Sequence, residues 1–447
     1  MTFSIIQKSQ LEGAHRLDAE YYQPEYLYAA TQIKKWPYNK LGELCSKITD
    51  GSHQTPTYQE SGIPFLMVKD VREQQINFDQ DISFISESFD KTLRHCKPIA
   101  GDILLTKVGS IGISAVVPEN TSSFNIFVSL AVLKDCKNID KYFLSTFLNS
   151  RYGKFQAIRA SKGISQPDLH LEDIREFLVP IFEKKLQAKI SKNVIGARDL
   201  LKRSQILYLQ AENLLLDKIG LKDFNLTEDL TFVINHGDTV RSSRLDAQHF
   251  QPLVKRLIKT ILGKGGISIG EIEFFNKRGV QPLYVENDEV KVITSKHLGA
   301  TSISYDNLDT TMLKEWESNK TAQIKKYDTL IYTTGANIGR TNCYLEDNKA
   351  LASNHINILR VKQLDPTYLS VFLNSFLGQQ QVKKFMTGSA QAELYSSDIS
   401  KFVIWNAPMT IQKEIAELVK KAHEARKKSK ELLEEAKRKV EEMIEKA

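Results

Sequence analysis

Pro167-Asp168, with Glu172 and Asp173 close behind, is the cluster in this chain that comes nearest to a hydrolytic site. A nuclease of the Pro-Asp…Asp/Glu-x-Lys type holds a divalent cation between carboxylates and needs a lysine two residues past an acid. No lysine stands two residues after Glu172 or Asp173, and the acids suit the polar side and start of a helix. Methyl transfer to a base amino group calls for a Gly-rich strand–turn–helix and an Asn/Asp-Pro-Pro-aromatic loop. Asn406-Ala407-Pro408 and Thr55-Pro56-Thr57-Tyr58 come closest, and both lack the paired prolines. Gly109-Ser110-Ile111-Gly112 has the small residues of a phosphate loop without its lysine. The 9 histidines are scattered, with no H-E-x-x-H and no Cys/His cluster at metal-ligand spacing. Cys45, Cys96, Cys136 and Cys343 form no C-x-x-C pair, so they read as buried or idle thiols rather than a disulfide framework or zinc site. Five common chemistries are missing together, which points to a binding protein with no catalytic or metal residues.

The elements that would position binding residues come in two sets, because the chain repeats itself. Arg16-Leu17-Asp18-Ala19, followed by Gln23-Pro24, recurs as Arg244-Leu245-Asp246-Ala247 followed by Gln251-Pro252. Gly101-Asp102-Ile103-Leu104-Leu105, running to Gly109-Ser110-Ile111-Gly112, is echoed by Tyr327-Asp328-Thr329-Leu330-Ile331, running to Gly335-Ala336-Asn337-Ile338-Gly339. Phe147-Leu148-Asn149-Ser150 with Gly153 is matched by Phe372-Leu373-Asn374-Ser375 with Gly378. Agreement in order at a nearly constant offset marks an internal duplication. Residues 42–75 and 270–300 share a layout but little identity, so one architecture presents two different surfaces.

Each half reads as mixed α/β. Short β-type runs such as Ile63–Val68, Asp102–Leu105 and Ser114–Val117, or Val290–Ile293, Thr329–Tyr332 and Asn357–Val361, lie between Gly, Pro, Ser and Asn clusters. Helical spacing appears at 140–158 and 366–386. A long helix closes each half. After Pro180 the apolar or small residues Leu186, Ile190, Val194, Ala197, Leu201, Ser204, Tyr208, Ala211, Leu215 and Ile219 recur at steps of three and four. After Pro408, Ile415, Leu418, Ala422, Ala425, Ser429, Leu432, Ala436, Val440 and Met443 do the same. So narrow a stripe along ~35 residues, about 50 Å of helix, is a coiled-coil seam that another helix must cover. Matching length and seam predict an antiparallel pair between the two.

The chain has 447 residues, long enough for two domains plus connecting elements, and its 41% hydrophobic and 26% charged residues are those of a globular protein. A net charge of +7, from 61 basic and 54 acidic residues, permits a polyanionic partner without demanding one. The N-terminus turns polar after six residues and no apolar run approaches a bilayer's width, so the expected compartment is the cytoplasm, with no membrane partner.

These residues carry a resemblance. Gly51-Ser52-His53-Gln54-Thr55-Pro56 with Gly62-Ile63-Pro64-Phe65-Leu66, then Gly101-Asp102-Ile103-Leu104, Gly109-Ser110-Ile111-Gly112 and Phe147-Leu148-Asn149-Ser150, with a helix after each domain, resemble the specificity subunit of type I restriction–modification enzymes. The resemblance covers essentially the whole chain. It departs in the second copy, where Lys277-Arg278-Gly279-Val280-Gln281-Pro282 stands opposite Asp50–Pro56 and no Gly-Ile-Pro-Phe-Leu follows. It implies duplicated mixed α+β target recognition domains at 1–180 and 221–408. Two long antiparallel coiled-coil helices, at 181–220 and 409–447, would join them with pseudo-two-fold symmetry. It further implies a host-defence protein reading a split target in double-stranded DNA and docking two methyltransferase subunits. Those subunits would bind S-adenosylmethionine and methylate adenine, while a separate restriction/motor subunit would use ATP and Mg2+. An isolated chain would be open to pairing its helices with a second copy.

Phosphates would be met by Lys and Arg, and base edges by Gln, Asn, Arg, Ser and Thr. The expected DNA contacts are therefore polar and basic residues of the divergent, turn-rich segments. In the first copy these are Lys47, Thr49, His53, Gln54, Lys69, Lys107, Ser110, Lys162 and Gln166. In the second they are Lys277, Arg278, Gln281, Lys296, His297, Asn337, Arg340 and Gln391. Tyr21-Tyr22 and His249-Phe250 are expected to pack rather than stack on bases, and the Lys/Glu-rich tail to be a solvated helix face. The alternatives are a coiled-coil adaptor whose two heads bind protein, an enzyme of another type, and a DNA-reading subunit of a different defence system.

Overall fold

The computed structural model describes residues 4–9, 11, 16–78, 81–163, 166–388 and 391–446. The chain forms two compact units, one of residues 1–202 with 426–447 and the other of 203–425. Each therefore contains a stretch of both long helices, Lys184–Ile219 and Met409–Glu445. Among the described residues, no helix is long and apolar enough to cross a membrane.

The first unit is built on a four-stranded antiparallel sheet. Its order is Cys45–Asp50, Leu130–Cys136, Ile103–Thr106 and Ser114–Val116. The middle strands are buried on both faces over Ile103–Thr106 and Leu130–Leu133, where their apolar residues run together. A smaller sheet pairs Ile63–Leu66 antiparallel with Ser83–Ile85 and parallel with Asn125–Ile126. The second unit has the same strand order in Glu273–Arg278, Ile356–Val361, Thr329–Tyr332 and Thr341–Cys343. There Val290–Ile293 takes the place of Ile63–Leu66, pairing parallel with Ala350–Ala352 and antiparallel with Asp309–Thr311. The missing Gly-Ile-Pro-Phe-Leu run is thus replaced by Val-Lys-Val-Ile, which fits the same β position with different residues.

The expected helices at 140–158 and 366–386 are each two helices, Lys141–Asn149 then Arg151–Ala160, and Pro366–Asn374 then Phe376–Phe385. Ser150 and Ser375 break them with extended backbone. At Gly153 and Gly378 a Cβ would stand 2.4 and 2.3 Å from the carbonyl oxygens of Leu148 and Leu373, so only glycine closes the elbow. The repeated asparagine before each break has a defined task. Asn149 accepts from Ser114 N at 2.9 Å and donates to its carbonyl at 2.8 Å. Asn374 accepts from Thr341 N at 2.8 Å and also donates to the Thr341 carbonyl. Each elbow is thereby fastened to the outer strand of its sheet.

Both long helices contribute to both cores. Ile190, Val194, Ala436, Val440 and Ile444 join the first core. Tyr208, Ala211, Leu215, Ile219, Ile415, Val419 and Ala422 join the second. Within the first unit, Ser429 Oγ donates to the Ala197 carbonyl at 2.6 Å, and Leu432 lies 3.6 Å from the Cβ position of Gly196. Residue numbers fall along one segment as they rise along the other, so these segments run antiparallel. The seam is wider than a strict heptad stripe. Val419 and Ile444 are buried while the expected Leu418 and Met443 are half-buried, as are Leu186, Leu201 and Leu432. A helix covered by a domain core as well as by a partner helix buries a broader face. A matching buried glutamine anchors each helix start. Gln187 accepts from Asp140 N and Gln412 from Asp365 N, each at 2.8 Å.

The cysteines require a correction. Cys45 and Cys136 are bonded, with sulfurs 2.02 Å apart, whereas Cys96 and Cys343 are free and buried. The partners are 91 residues apart in sequence, and only the pairing of their strands sets them opposite each other.

Gly51 and Gly279 follow the edge strands of the two main sheets, where a Cβ would stand 2.1 Å from the carbonyl oxygens of Ile126 and Ala352. Gly51→Ala and Gly279→Ala are each expected to destabilise the protein by about 2–3 kcal/mol in urea unfolding. Gly263→Ala, with nothing within 4 Å of its Cβ position, is the expected silent control.

Candidate nucleic-acid interface

Three chain segments meet at one end of each main sheet, held by the same backbone ladder in both units. In the first, Gly51 N donates to Leu130 O and Ser52 N to Ile126 O. Lys107 N donates to Ser129 O, Gly109 N to Pro167 O and Leu169 N to Lys107 O, while Lys162 and Asp168 exchange both bonds. In the second, Gly279 N donates to Ile356 O and Val280 N to Ala352 O. Thr333 N donates to His355 O, Gly335 N to Ala392 O and Leu394 N to Thr333 O, while Thr387 and Glu393 exchange both bonds. The segment after the edge strand, the glycine turn and the loop after the second helix are therefore locked together by main-chain groups, which no side-chain substitution removes.

Side chains on this common ladder are exchanged between the units, including their charges. In the first, Lys107 Nζ lies 3.5 Å from Asp50 and 3.4 Å from Asp168. In the second, Arg278 occupies the position of Asp50, Thr333 that of Lys107 and Glu393 that of Asp168. Arg278 donates to the Leu394 carbonyl at 3.0 Å and lies 3.6 Å from Glu393. Both units tie the edge strand to the distal loop by an ion pair, but the cation sits on different strands.

The repeated Arg-x-Asp holds the base of that distal loop. Arg16 forks onto Asp18 and reaches the carbonyls of Ala160 and Ser161 at 3.4 and 3.5 Å. Arg244 does the same with Asp246 and the carbonyls of Phe385 and Met386 at 3.2 and 2.9 Å. A cation on the last carbonyls of a helix satisfies groups the helix itself leaves open. Hydrogen bonding to the guanidinium holds the carboxyls of Asp18 and Asp246 below their ordinary pKa. The aromatic pairs pack internally: Tyr22 OH donates to the Arg16 carbonyl, and His249 Nδ1 to that of Lys384.

The expected contact residues divide accordingly. His53, Gln54, Ser110, Lys162 and Gln166 are exposed on the converging segments of the first unit, as are Lys277, Gln281 and Gln391 in the second. Asn337 and Arg340 lie half-buried in the second unit's glycine turn. Lys162 is 3.0 Å from Asp173, one of the acids in the first turn of the helix Leu171–Arg175; Asp168 stands ahead of that helix, not in it. Lys47 and Thr49 line a shallow cleft of about 400 Å³ with Gly42, Ser46, Leu171 and Arg175. Lys69 bonds the Asp81 carbonyl, and Lys296 pairs with Asp309 at 2.8 Å. Two side chains serve the interior. Lys107 is 7% exposed between its two carboxylates. His297 is 3% exposed, accepts from Thr294 N on Nδ1, and is held below its usual pKa by burial. Asp50, Asp168 and Glu393 went unsingled in the sequence as partners of these cations, because their pairing spans 57–115 positions of chain only through the fold.

Residues 259–438 match the family model described as type I restriction modification DNA specificity domain. The type I restriction enzyme EcoBI specificity subunit of Escherichia coli is 27% identical over 138 residues. That stretch is 30% of this chain and 28% of the relative, so the match spans under a third of the relative's length. Among solved structures, the type I restriction–modification S subunit from M. genitalium aligns with TM-score 0.42 and 13% identity over 91% of this chain and 96% of its own. The HsdS subunit from Thermoanaerobacter tengcongensis aligns with TM-score 0.29 and 15% identity over 91% and 95%.

The exchanged ion pairs give a double-mutant cycle. Lys107→Thr leaves Asp50 and Asp168 without their cation, and Asp50→Arg sets a second cation against Lys107. Each alone is expected to cost about 2–3 kcal/mol in urea unfolding, and the double variant to fall within about 1 kcal/mol of the parent. Additive losses would show that these charges do not join strand and loop.

Proposed function

Because the chain belongs to the family of type I restriction–modification specificity subunits, we propose that it reads a split sequence in double-stranded DNA, one half-site per unit. The observation that supports this most directly is the common backbone ladder carrying exchanged side chains at one end of each main sheet. A frame built twice with different side chains suits two related tasks on different base sequences. His53, Gln54, Ser110 and Gln166 on the first unit, and Gln281, Asn337 and Gln391 on the second, are proposed to meet base edges, where amide and hydroxyl groups discriminate donors from acceptors. Lys162, Lys277 and Arg340 are proposed to meet phosphates and set orientation.

In this reading the chain has no chemistry of its own. The units are a duplicated pair of target recognition domains, and the helices Lys184–Ile219 and Met409–Glu445 act as a spacer ruler and docking surface. DNA presents the same face about every 10 base pairs, so a helix of fixed length selects a spacing between half-sites. Two methyltransferase subunits carrying S-adenosylmethionine would methylate adenine in each half-site, and a restriction/motor subunit using ATP and Mg2+ would cut unmodified DNA, all in the cytoplasm.

Co-expression with a DNA methyltransferase encoded beside this chain, followed by pull-down and methylation mapping, tests the reading. The expected result is a stable complex that methylates adenine at a bipartite motif. Exchanging residues 42–75 is expected to change one half of the motif only, and exchanging 270–300 the other. A chain that forms no such complex and directs no split motif would instead be an adaptor.

A further inference from the structure

The common ladder exchanges hydrogen-bonding capacity between the units as well as charge. Ser52 N and Val280 N donate to Ile126 O and Ala352 O, which makes Phe127 the counterpart of Ser353 and Val128 that of Asn354. Val108 and Thr334 each bridge to the distal loop, at Asp168 and Glu393, so these two correspond as well. Three apolar residues of the first unit are thus polar in the second. Thr334 and Ser353 are buried, at 6% and 2% exposure, and Asn354 is half-buried. Thr334 Oγ1, Ser353 Oγ and Asn354 Oδ1 are all withdrawn from water with no hydrogen-bond partner among the described residues. A hydroxyl or amide oxygen taken out of water without a partner destabilises the unit that carries it. The fold does not require these groups, because the first unit closes the same ladder with Val108, Phe127 and Val128. Phe127 packs against Phe65, whereas Val108 and Val128 stay half-buried.

We propose that Thr334, Ser353 and Asn354 are specificity-determining residues of the second unit, and that their missing partners are the hydrogen-bonding groups of a base edge. Their place in the fold supports this. Ser353 pairs with Val280, the residue before Gln281, and Thr334 pairs with Glu393, two residues after Gln391. The unpartnered groups therefore belong to the segments that carry the proposed base contacts. Serine and threonine hydroxyls change direction by rotation about one bond, so meeting a base leaves the main-chain ladder where it is. At the equivalent place the first unit offers Val108 and Val128, and the apolar group that DNA presents in its major groove is the thymine methyl. Polar groups satisfied only by the right ligand reject a wrong one more strongly than an apolar contact rejects a missing methyl. The second half-site is accordingly read here with the sharper discrimination. The inference rests on the DNA-reading function proposed above and adds the chemistry that each half-site presents to this position.

The test uses the full chain co-purified with its methyltransferase subunit. Methylation mapping gives the parental motif, and binding is then measured to duplexes with each base pair of that motif substituted in turn. Thr334→Val with Asn354→Val, and separately Ser353→Ala, are expected to weaken binding to the parental duplex by roughly tenfold. Both are expected to relax one base pair of the second half-site and leave the first half-site unchanged. Val108→Thr with Val128→Asn is expected to relax a thymine position of the first half-site alone. Thermal melting of the chain without DNA separates recognition from structure. Removing an unpartnered polar group is expected to leave the melting temperature of the second-unit variants unchanged or raised. A lower melting temperature in both second-unit variants would mean that these groups are partnered inside the unit, and would overturn the inference. Parental affinity and an unchanged motif in both would overturn it equally. A parent complex that directs no split motif would overturn the DNA-reading proposal, and this inference with it.

Discussion

At Gly51 and Gly279 the chain passes a neighbouring carbonyl so closely that a methyl group would stand 2.1 Å from its oxygen. That contact lets the segment leaving the edge strand lie directly on the smaller-sheet strand that precedes the central strand of the main sheet, Asn125–Ile126 in one unit and Ala350–Ala352 in the other, beside the glycine turn and distal loop. Everything proposed about recognition depends on it. Loops fixed by main-chain hydrogen bonds can change their side chains without losing their positions, and a reading surface needs that separation of duties.

The exchanged charges show the separation at work. Asp50, Lys107 and Asp168 in one unit, and Arg278 with Glu393 in the other, make the same link between strand and loop with the cation on different strands. Lys107 and Asp50 are largely withdrawn from water, at 7% and 13% side-chain exposure, where losing one partner leaves a charge without compensation, so changes at these two positions must come together. The start of each edge strand shows the same freedom. The first unit fastens it with the Cys45–Cys136 bond, whereas in the second Glu273 accepts from Ser400 Oγ and Asn276 Nδ2.

The long helices are also more than connectors. Their seams enter both hydrophobic cores, and Gln187 and Gln412 bind each helix start to the Asp140 and Asp365 amides. Each helix therefore supplies side chains to each core in turn, and its stability is tied to that of the unit it enters.

Much of this was legible in the sequence because it depends on local pattern. The mixed α/β character, the long helices with their stripes of small and apolar residues, and the matching Arg-Leu-Asp-Ala and Phe-Leu-Asn-Ser runs follow from periodicity and repetition. What the runs do was not legible. The clamp of Arg16 on carbonyls 144 and 145 positions away, and the task of Asn149 on Ser114, appear only once the chain has folded. The burial of His297 and Lys107, both expected at the surface, and the bond between Cys45 and Cys136 were likewise decided by tertiary structure. The physical reason is common to all of them. Periodicity reports which face of an element avoids water, whereas ion pairs, disulfides and buried polar contacts depend on which elements become neighbours, and only the pairing of segments far apart in the chain sets that.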